Sequence, residues 1–204
     1  MVRRILTTII MATASVFSMV SCATEPVQKE IGLQLYSIRD QINEDLDTSL
    51  DAVAQAGYTF VEMAGYNAQE GTFYGMSGEA FKELCNAKGL DVISSHINGP
   101  DPNVTPWEEC MAWWDKAIAD HLSTGVLYIV QPSMWKSAYE SLEGLSGYCE
   151  LFNAVGEKCN NAGIRFGYHN HAHEFTTVFD DVVLYDYMLQ NTDPQKVFFQ
   201  IDVF

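Results

Sequence analysis

Residues 168–175 carry three histidines and a carboxylate in one short stretch. His169 and His171 lie two positions apart, so their side chains point to the same side if the chain is extended there. Glu174 adds a carboxylate close behind them. Mixed imidazole and carboxylate ligands suit Mn²⁺, Zn²⁺ or Co²⁺, and Mg²⁺ when fewer histidines take part. The stretch therefore predicts a divalent metal site, although one or two histidines, His173 above all, could be merely solvated.

A polar residue also ends each of six short apolar runs, which span residues 31–36, 59–63, 90–96, 126–131, 164–169 and 197–202. These polar residues are Gln34 with Tyr36, Glu62, His96, Gln131, His169 and Asp202. One polar residue at a strand end usually marks only the start of a loop. Six on a consistent side predict a shared site, because barrel active sites are assembled at the C-terminal rim of the strands. The residues expected to contact a substrate there are Gln34, Tyr36, Glu62, His96 and Gln131.

Two of these side chains also have simpler interpretations. His96 could bind a hydroxyl group or shuttle a proton, but a lone histidine at a strand end is often only hydrogen-bonded locally. Glu62 could form a salt bridge with Arg165 or Arg39 instead of meeting a ligand. Both interpretations remain open from the sequence.

The segments that separate the apolar runs have helical period and recur at intervals of roughly 30 to 40 residues, as in successive βα units. Ser77 is expected to cap one helix that ends near Gly89, and Asp180 or Asp181 to begin the last helix. Five helices between six strands, without a Pro-rich linker, predict a single α/β domain over residues 31–204. A barrel is favoured over a doubly wound sheet, because no G-x-G-x-x-G follows the first strand.

The chain of 204 residues carries a formal charge of −16 at pH 7. So acidic a surface repels nucleic acid, whose binding relies on Lys and Arg to neutralise phosphates. It is compatible with a divalent cation or a neutral ligand. The cysteines of the domain show no C-x-x-C spacing, and buried free thiols are predicted for Cys85, Cys110, Cys149 and Cys159.

The N-terminal segment is expected to direct export. Two arginines precede an uncharged apolar run that falls short of the ~20 residues of a membrane span, which is typical of a secretory signal over residues 1–21. Met-Val-Ser-Cys, ending at Cys22, resembles a bacterial lipobox, in which the cysteine is lipidated after cleavage. An ordinary signal peptide with an incidental cysteine is the alternative. Residues 22–30 would then tether the domain to a membrane, in the periplasm or at the cell surface.

Five segments together resemble the xylose isomerase-like TIM barrel superfamily, in its sugar phosphate isomerase/epimerase branch. They are Ile-Gly-Leu-Gln-Leu-Tyr-Ser-Ile-Arg (31–39), Ala-Gly-Tyr-Thr-Phe-Val-Glu (56–62), Ile-Ser-Ser-His (93–96), Gly-Tyr-His-Asn-His-Ala-His-Glu-Phe (167–175) and Gln-Ile-Asp-Val-Phe (200–204). The resemblance implies a (β/α)₈ TIM barrel of about 250 residues, of which about six of the eight βα units are present here. We expect this incomplete form to be inactive.

The resemblance also implies a divalent metal at the mouth of the barrel, held by groups from the fifth to eighth strands. Usually these groups are Glu, Asp, His and Glu. Asp202 matches the ligand from the sixth strand. At the fifth strand His169 and Glu174 remain alternatives, and the last two strands are not in the sequence.

The implied chemistry is metal-assisted abstraction of a proton next to the carbonyl of a sugar or keto-sugar. His169, His171 or Glu174 would act as the base, and the metal would stabilise the enediolate. Isomerisation and epimerisation begin with this step, and so does elimination by a keto-glycoside lyase or dehydratase. A non-catalytic glycan-binding lipoprotein is a further alternative. The endonuclease branch is disfavoured by the acidic charge.

Aromatic side chains bear on sugar binding. Trp107, Trp113 and Trp114 lie in one predicted helix, where most aromatic residues belong to the core. Trp107, at the start of that helix, could instead approach the mouth and stack on a sugar ring. The sequence does not indicate an oligomeric state.

Attachment through Cys22 is directly testable. The Cys22→Ser variant has no thiol to lipidate, so we expect it to move from the membrane fraction to the soluble exported fraction, as measured by immunoblotting. A wild-type protein already soluble in that fraction would favour the ordinary signal peptide.

Overall fold

A computed structural model describes residues 30–203 of the chain. The predicted signal segment, Cys22 and most of the tether lie outside the described residues, so export and lipid anchoring stay predictions. In the described part, no helix has both the length and the apolar character needed to cross a membrane.

Six parallel strands form one sheet in which each strand pairs with the next along the chain. They are β1 (Gly32–Gln34), β2 (Phe60–Met63), β3 (Asp91–His96), β4 (Tyr128–Gln131), β5 (Arg165–His169) and β6 (Val197–Gln200). At least one helix follows each of the first five strands, as the βα plan predicts. The fold is therefore a TIM barrel with six of its strands in the described residues.

The described residues also form seven α-helices, which are α1 (Arg39–Glu44), α2 (Leu46–Gln55), α3 (Gly78–Ala87), α4 (Trp107–Leu122), α5 (Leu142–Asn161), α6 (Ala172–Thr176) and α7 (Leu184–Asn191). Two 3₁₀ helices span Leu35–Ile38 and Lys136–Tyr139. Two small hairpins pair Tyr66–Asn67 with Thr72–Phe73 and Val178–Phe179 with Val182–Val183. The hairpins and the 3₁₀ helices were not predicted.

The sequence predicted the start of one helix correctly and the start of another wrongly. Ser77 caps α3, since its hydroxyl accepts a hydrogen bond from the Ala80 N–H at 3.2 Å. Asp180 and Asp181 do not begin α7, which starts at Leu184. They form the tip of a hairpin with φ angles of 47° and 64°. Aspartate tolerates this left-handed backbone, which a two-residue hairpin turn requires.

The outer face of the sheet packs against the helices. Phe166 of β5 lies 5.4 Å from the Trp114 ring of α4 and 5.6 Å from the Phe152 ring of α5, measured between ring centroids. The four predicted cysteines are buried and free in this layer, which confirms that prediction. Burial raises the pKa of the Cys85, Cys149 and Cys159 thiols to about 12, so they remain protonated.

Aromatic rings line the inner face below the rim. A Cβ on Gly32 would lie 1.9 Å from the Phe60 ring, and one on Gly167 would lie 2.6 Å from the Phe198 ring. The two glycines therefore make room for these rings inside the barrel. Phe198 also packs edge-on against Tyr128 at 5.5 Å. Polar side chains are thus concentrated at the C-terminal ends of the strands.

A buried histidine joins α4 to the sheet. The His121 Nδ1–H donates to the Ala117 carbonyl at 2.6 Å, and its Nε2 accepts from the Ser95 hydroxyl at 2.9 Å. The rings of Tyr66 and Phe73 lie 4.7 and 4.8 Å from the imidazole. Burial lowers the pKa of His121 to about 4, so the folded protein holds it neutral.

Stability should therefore fall with acid because of His121. Its pKa is about 4 when folded and 6.5 in the ordinary case, so the unfolded chain binds the proton more readily and protonation favours unfolding. The contribution is complete above pH 6.5 and should fall by about 3 kcal/mol as the pH drops to 4. Urea unfolding across this range should show a shallower pH dependence for His121→Gln than for wild type. Equal slopes would contradict the assignment.

Candidate active site at the barrel mouth

A cavity of about 700 Å³ opens at the C-terminal ends of the strands, and we call it the mouth. It is lined by seven of the predicted site residues, namely Gln34, Tyr36, Glu62, His96, His169, His171 and Asp202. It is also lined by Gln200, Asn98 and Ser133, which were not predicted as site residues. The structure therefore brings together most of the predicted site.

The side chain of Gln200 connects the ends of several strands. Its Oε1 accepts hydrogen bonds from His96 Nε2 at 2.8 Å and from His169 Nδ1 at 2.9 Å. Its Nε2 donates to Glu62 Oε2 at 2.9 Å. The amide orientation follows from its partners, because a carboxylate only accepts. Gln200 shares the inward parity of Asp202, which is the sequence signal that could have identified it.

Glu62 is held as a buried carboxylate. The Ser94 hydroxyl donates to it at 2.6 Å, and His96 Nε2 lies 2.8 Å from its other oxygen. Burial alone would raise the pKa of Glu62, but the hydrogen bond from His96, the His96 charge and the other donors outweigh it and lower the pKa. Its partner is thus a histidine rather than Arg165 or Arg39. The Arg39 guanidinium instead lies 4.6 Å from the centre of the Tyr36 ring.

His169 and Asp202 lie side by side at the mouth, at the ends of the paired strands β5 and β6. The Nδ1–H of His169 is donated to Gln200, so the neutral ring presents the lone pair of Nε2 to Asp202 Oδ2, 3.4 Å away. Burial and the neighbouring His96 lower the pKa of His169, which keeps the ring neutral. The Asn170 side chain holds the Asp202 backbone in place. Its amide NH₂ donates to the Asp202 C=O and its Oδ1 accepts from the Asp202 N–H, both at 3.2 Å. His169 Nε2 and Asp202 Oδ2 are two electron-pair donors that face each other, and the hydrogen bond at His169 Nδ1 holds the ring in place. Such a pair fits a divalent cation.

Glu174 lies behind the sheet and does not line the mouth. Its fully buried carboxylate accepts from the Tyr168 hydroxyl at 2.5 Å, the Tyr139 hydroxyl at 3.1 Å and the His171 N–H at 2.7 Å. Tyr168 is on the outer face of β5 and sits in the core. The structure thus separates Glu174 from the pair formed by His169 and Asp202, and makes it an anchor for the start of α6.

A second group of possible ligands surrounds this carboxylate. Ligand atoms of His171, His173 and Glu174 all lie within 4.8 Å of one another, the one such group among the described residues. The His171 and His173 rings stack at 5.4 Å with planes 12° apart. Because Glu174 already accepts three hydrogen bonds, a metal there would have to replace some of them. His169 with Asp202 fits a metal better.

Gln131 was predicted to contact substrate, and the structure places it on the opposite face. Tyr128 lines the barrel interior, so Gln131, three positions later, points outward with Ile129. It is fully buried, and its amide donates to the Ser133 carbonyl at 2.8 Å. The prediction failed because both faces of this strand are apolar, so its parity could not be read from the sequence.

Comparison with known proteins places the chain in a family. The model of the xylose isomerase-like TIM barrel matches residues 50–204. The chain belongs to this family. A sugar phosphate isomerase/epimerase from Parabacteroides distasonis is 32% identical and superposes with a TM-score of 0.77, over 91% of this chain and 71% of that protein. Isomerases and epimerases of this family often use divalent metals. A search of the curated proteins finds no match.

Less similar solved structures share the fold of this chain. A probable 3-DHS dehydratase from Bacillus anthracis is 13% identical with a TM-score of 0.65, over 85% of this chain and 62% of that protein. A D-psicose 3-epimerase from Clostridium cellulolyticum H10 is 13% identical with a TM-score of 0.59, over 85% and 63% respectively. At this identity the likeness concerns the fold alone.

The anchor role of Glu174 predicts unequal effects at its two tyrosines. Tyr168→Phe removes a short bond to a buried carboxylate, so the free energy of unfolding should fall by about 1.5–3 kcal/mol. Tyr139→Phe should cost less, since its hydroxyl is farther from Glu174, at 3.1 Å. Denaturant titration followed by circular dichroism measures both. An equal or larger loss for Tyr139→Phe would contradict this role.

Proposed function

We propose that the mouth is the active site of a metal-dependent sugar isomerase or epimerase, which removes a proton next to the carbonyl of a sugar or keto-sugar. The observation that carries the proposal is the pair formed by His169 Nε2 and Asp202 Oδ2, which face each other at 3.4 Å. These two residues would hold the metal. When bound, the metal supplies a Lewis acid for a carbonyl oxygen.

His171 is the best proton acceptor in the mouth. His169 is used for the metal, and Glu62 is a weak base because its pKa is lowered and its oxygens already accept hydrogen bonds. His171 lines the mouth, and its backbone N–H is fixed by the buried carboxylate of Glu174. Glu174, predicted as a catalytic or metal residue, would then act by positioning His171.

The polar groups around Glu62 suit the hydroxyl groups of the substrate. Gln34, Glu62 and His96 point into the same cavity and offer both donors and acceptors. We infer a carbohydrate with free hydroxyl groups as substrate, such as a free sugar or a keto-glycoside.

A solvent-exchange assay tests the proposed step. With Zn²⁺ or Mn²⁺ in D₂O, a suitable keto-sugar should gain deuterium at the carbon next to its carbonyl, as followed by NMR. The assay should also be run on a longer chain, since this one covers only 71% of the Parabacteroides distasonis protein that it matches. Asp202→Asn should abolish exchange and stoichiometric metal binding. The matched control is Asp181→Asn, at an exposed hairpin tip outside the mouth.

The outcomes separate the alternatives. Metal content unchanged in Asp202→Asn would overturn the assigned ligand. Tight binding across a broad sugar panel without any exchange would favour a glycan-binding protein. Exchange accompanied by loss of water or of an aglycone would identify a dehydratase or lyase that shares the first step.

A further inference from the structure

Trp135 exposes a large aromatic ring that is nevertheless held in place. Trp135 is 54% exposed. The indole N–H donates to the Gly99 carbonyl at 2.9 Å, and the Trp135 backbone N–H donates to the Tyr148 hydroxyl at 2.9 Å. A single exposed aromatic is common on protein surfaces. An indole that is held at both its backbone and its ring keeps one orientation, so its ring face is available to a ligand.

The ring lies at the rim of the mouth. Its hydrogen-bond acceptor, Gly99, directly follows Asn98, and Trp135 lies two positions after Ser133. Asn98 and Ser133 both line the mouth, and the Ser133 hydroxyl donates to Asn98 Oδ1 at 3.1 Å. The indole therefore links the loops that follow β3 and β4, each of which contributes a residue to the lining of the mouth.

The support under the ring is rigid. A Cβ on Gly99 would lie 2.6 Å from the buried ring of Trp114, so the backbone at Gly99 packs directly on the core. The Asp101 carboxylate accepts from the Ser137 hydroxyl at 2.8 Å, which ties the same two loops together again. Little conformational freedom would thus be lost when a ligand covers the indole.

We propose that Trp135 forms a second carbohydrate subsite, which stacks on the C–H face of a sugar ring linked glycosidically to the ring in the mouth. This inference rests on the proposed carbohydrate site. A flat, uncharged aromatic face suits the apolar face of a pyranose, while the indole N–H is already used. The adjacent cation, Lys136, is paired with Glu140 at 2.7 Å. The favoured substrate is therefore a glycoside of at least two rings.

Trp107, the tryptophan that the sequence suggested for stacking, does not fill this role. It begins α4 and is 44% exposed, and no residue within eight positions of it lines the mouth. The two tryptophans differ in their distance along the chain from the lining of the mouth, since Trp135 is two residues from Ser133 and Trp107 is nine residues from Asn98. Trp107 is thus a matched control, as an exposed tryptophan away from the cavity.

Calorimetric titration of the full chain can test the subsite. The probes are glucose and its disaccharides maltose, cellobiose and laminaribiose. We expect at least one disaccharide to bind about tenfold more tightly than glucose, the effect of one aromatic contact. Trp135→Ala should remove that gain and leave glucose binding unchanged. Trp135→Phe, which keeps a flat ring, should lose less, and Trp107→Ala should behave as wild type.

Each other outcome has a definite meaning. If no disaccharide gains affinity, or if the gain persists in Trp135→Ala and Trp135→Phe, the inference is overturned. If phenyl glucoside gains through Trp135 and no disaccharide does, the occupant is an aromatic aglycone and the assignment to a sugar ring is wrong. Disaccharide binding that depends on Trp135 without deuterium exchange would refute the proposed catalysis and retain the subsite. If deuterium exchange is unaffected by Trp135→Ala and no disaccharide gains affinity, the proposed catalysis is retained and the subsite is refuted.

Discussion

The amide of Gln200 is the interaction on which the mouth depends. It supplies one acceptor to His96 and His169 and one donor to Glu62 without adding a charge. A side chain without the amide would leave a buried carboxylate and two ring N–H groups with fewer partners, and unsatisfied buried groups are costly. The hydrogen bond from His169 Nδ1 to Gln200 Oε1 fixes the tautomer of His169. It therefore leaves Nε2 as the nitrogen that faces Asp202.

Packing below the rim determines where chemistry can occur. Gly32 and Gly167 admit aromatic rings into the barrel, so the floor is apolar and polar groups gather above it. Behind the sheet, Tyr168 holds Glu174 away from the mouth. The two buried carboxylates of the described residues, Glu62 and Glu174, therefore serve different purposes. One faces the cavity, and the other secures the segment that carries His171.

Strand alternation was sufficient to predict much of the mouth, since Glu62 and His169 end short strands in which polar and apolar faces differ. It failed at Gln131, where both faces are apolar. The position of Glu174 depends on Tyr139, 35 positions earlier, and that of Trp135 on a carbonyl 36 positions earlier. Such contacts leave no local pattern. The six-stranded fold was predictable, and the loops that shape the rim were not.

Anomalous diffraction from crystals soaked in Zn²⁺ would locate the metal directly. We expect one peak at about 2.0–2.2 Å from both His169 Nε2 and a carboxylate oxygen of Asp202. A peak confined to His171, His173 and Glu174, or none at saturating Zn²⁺, would contradict a metal centre in the mouth.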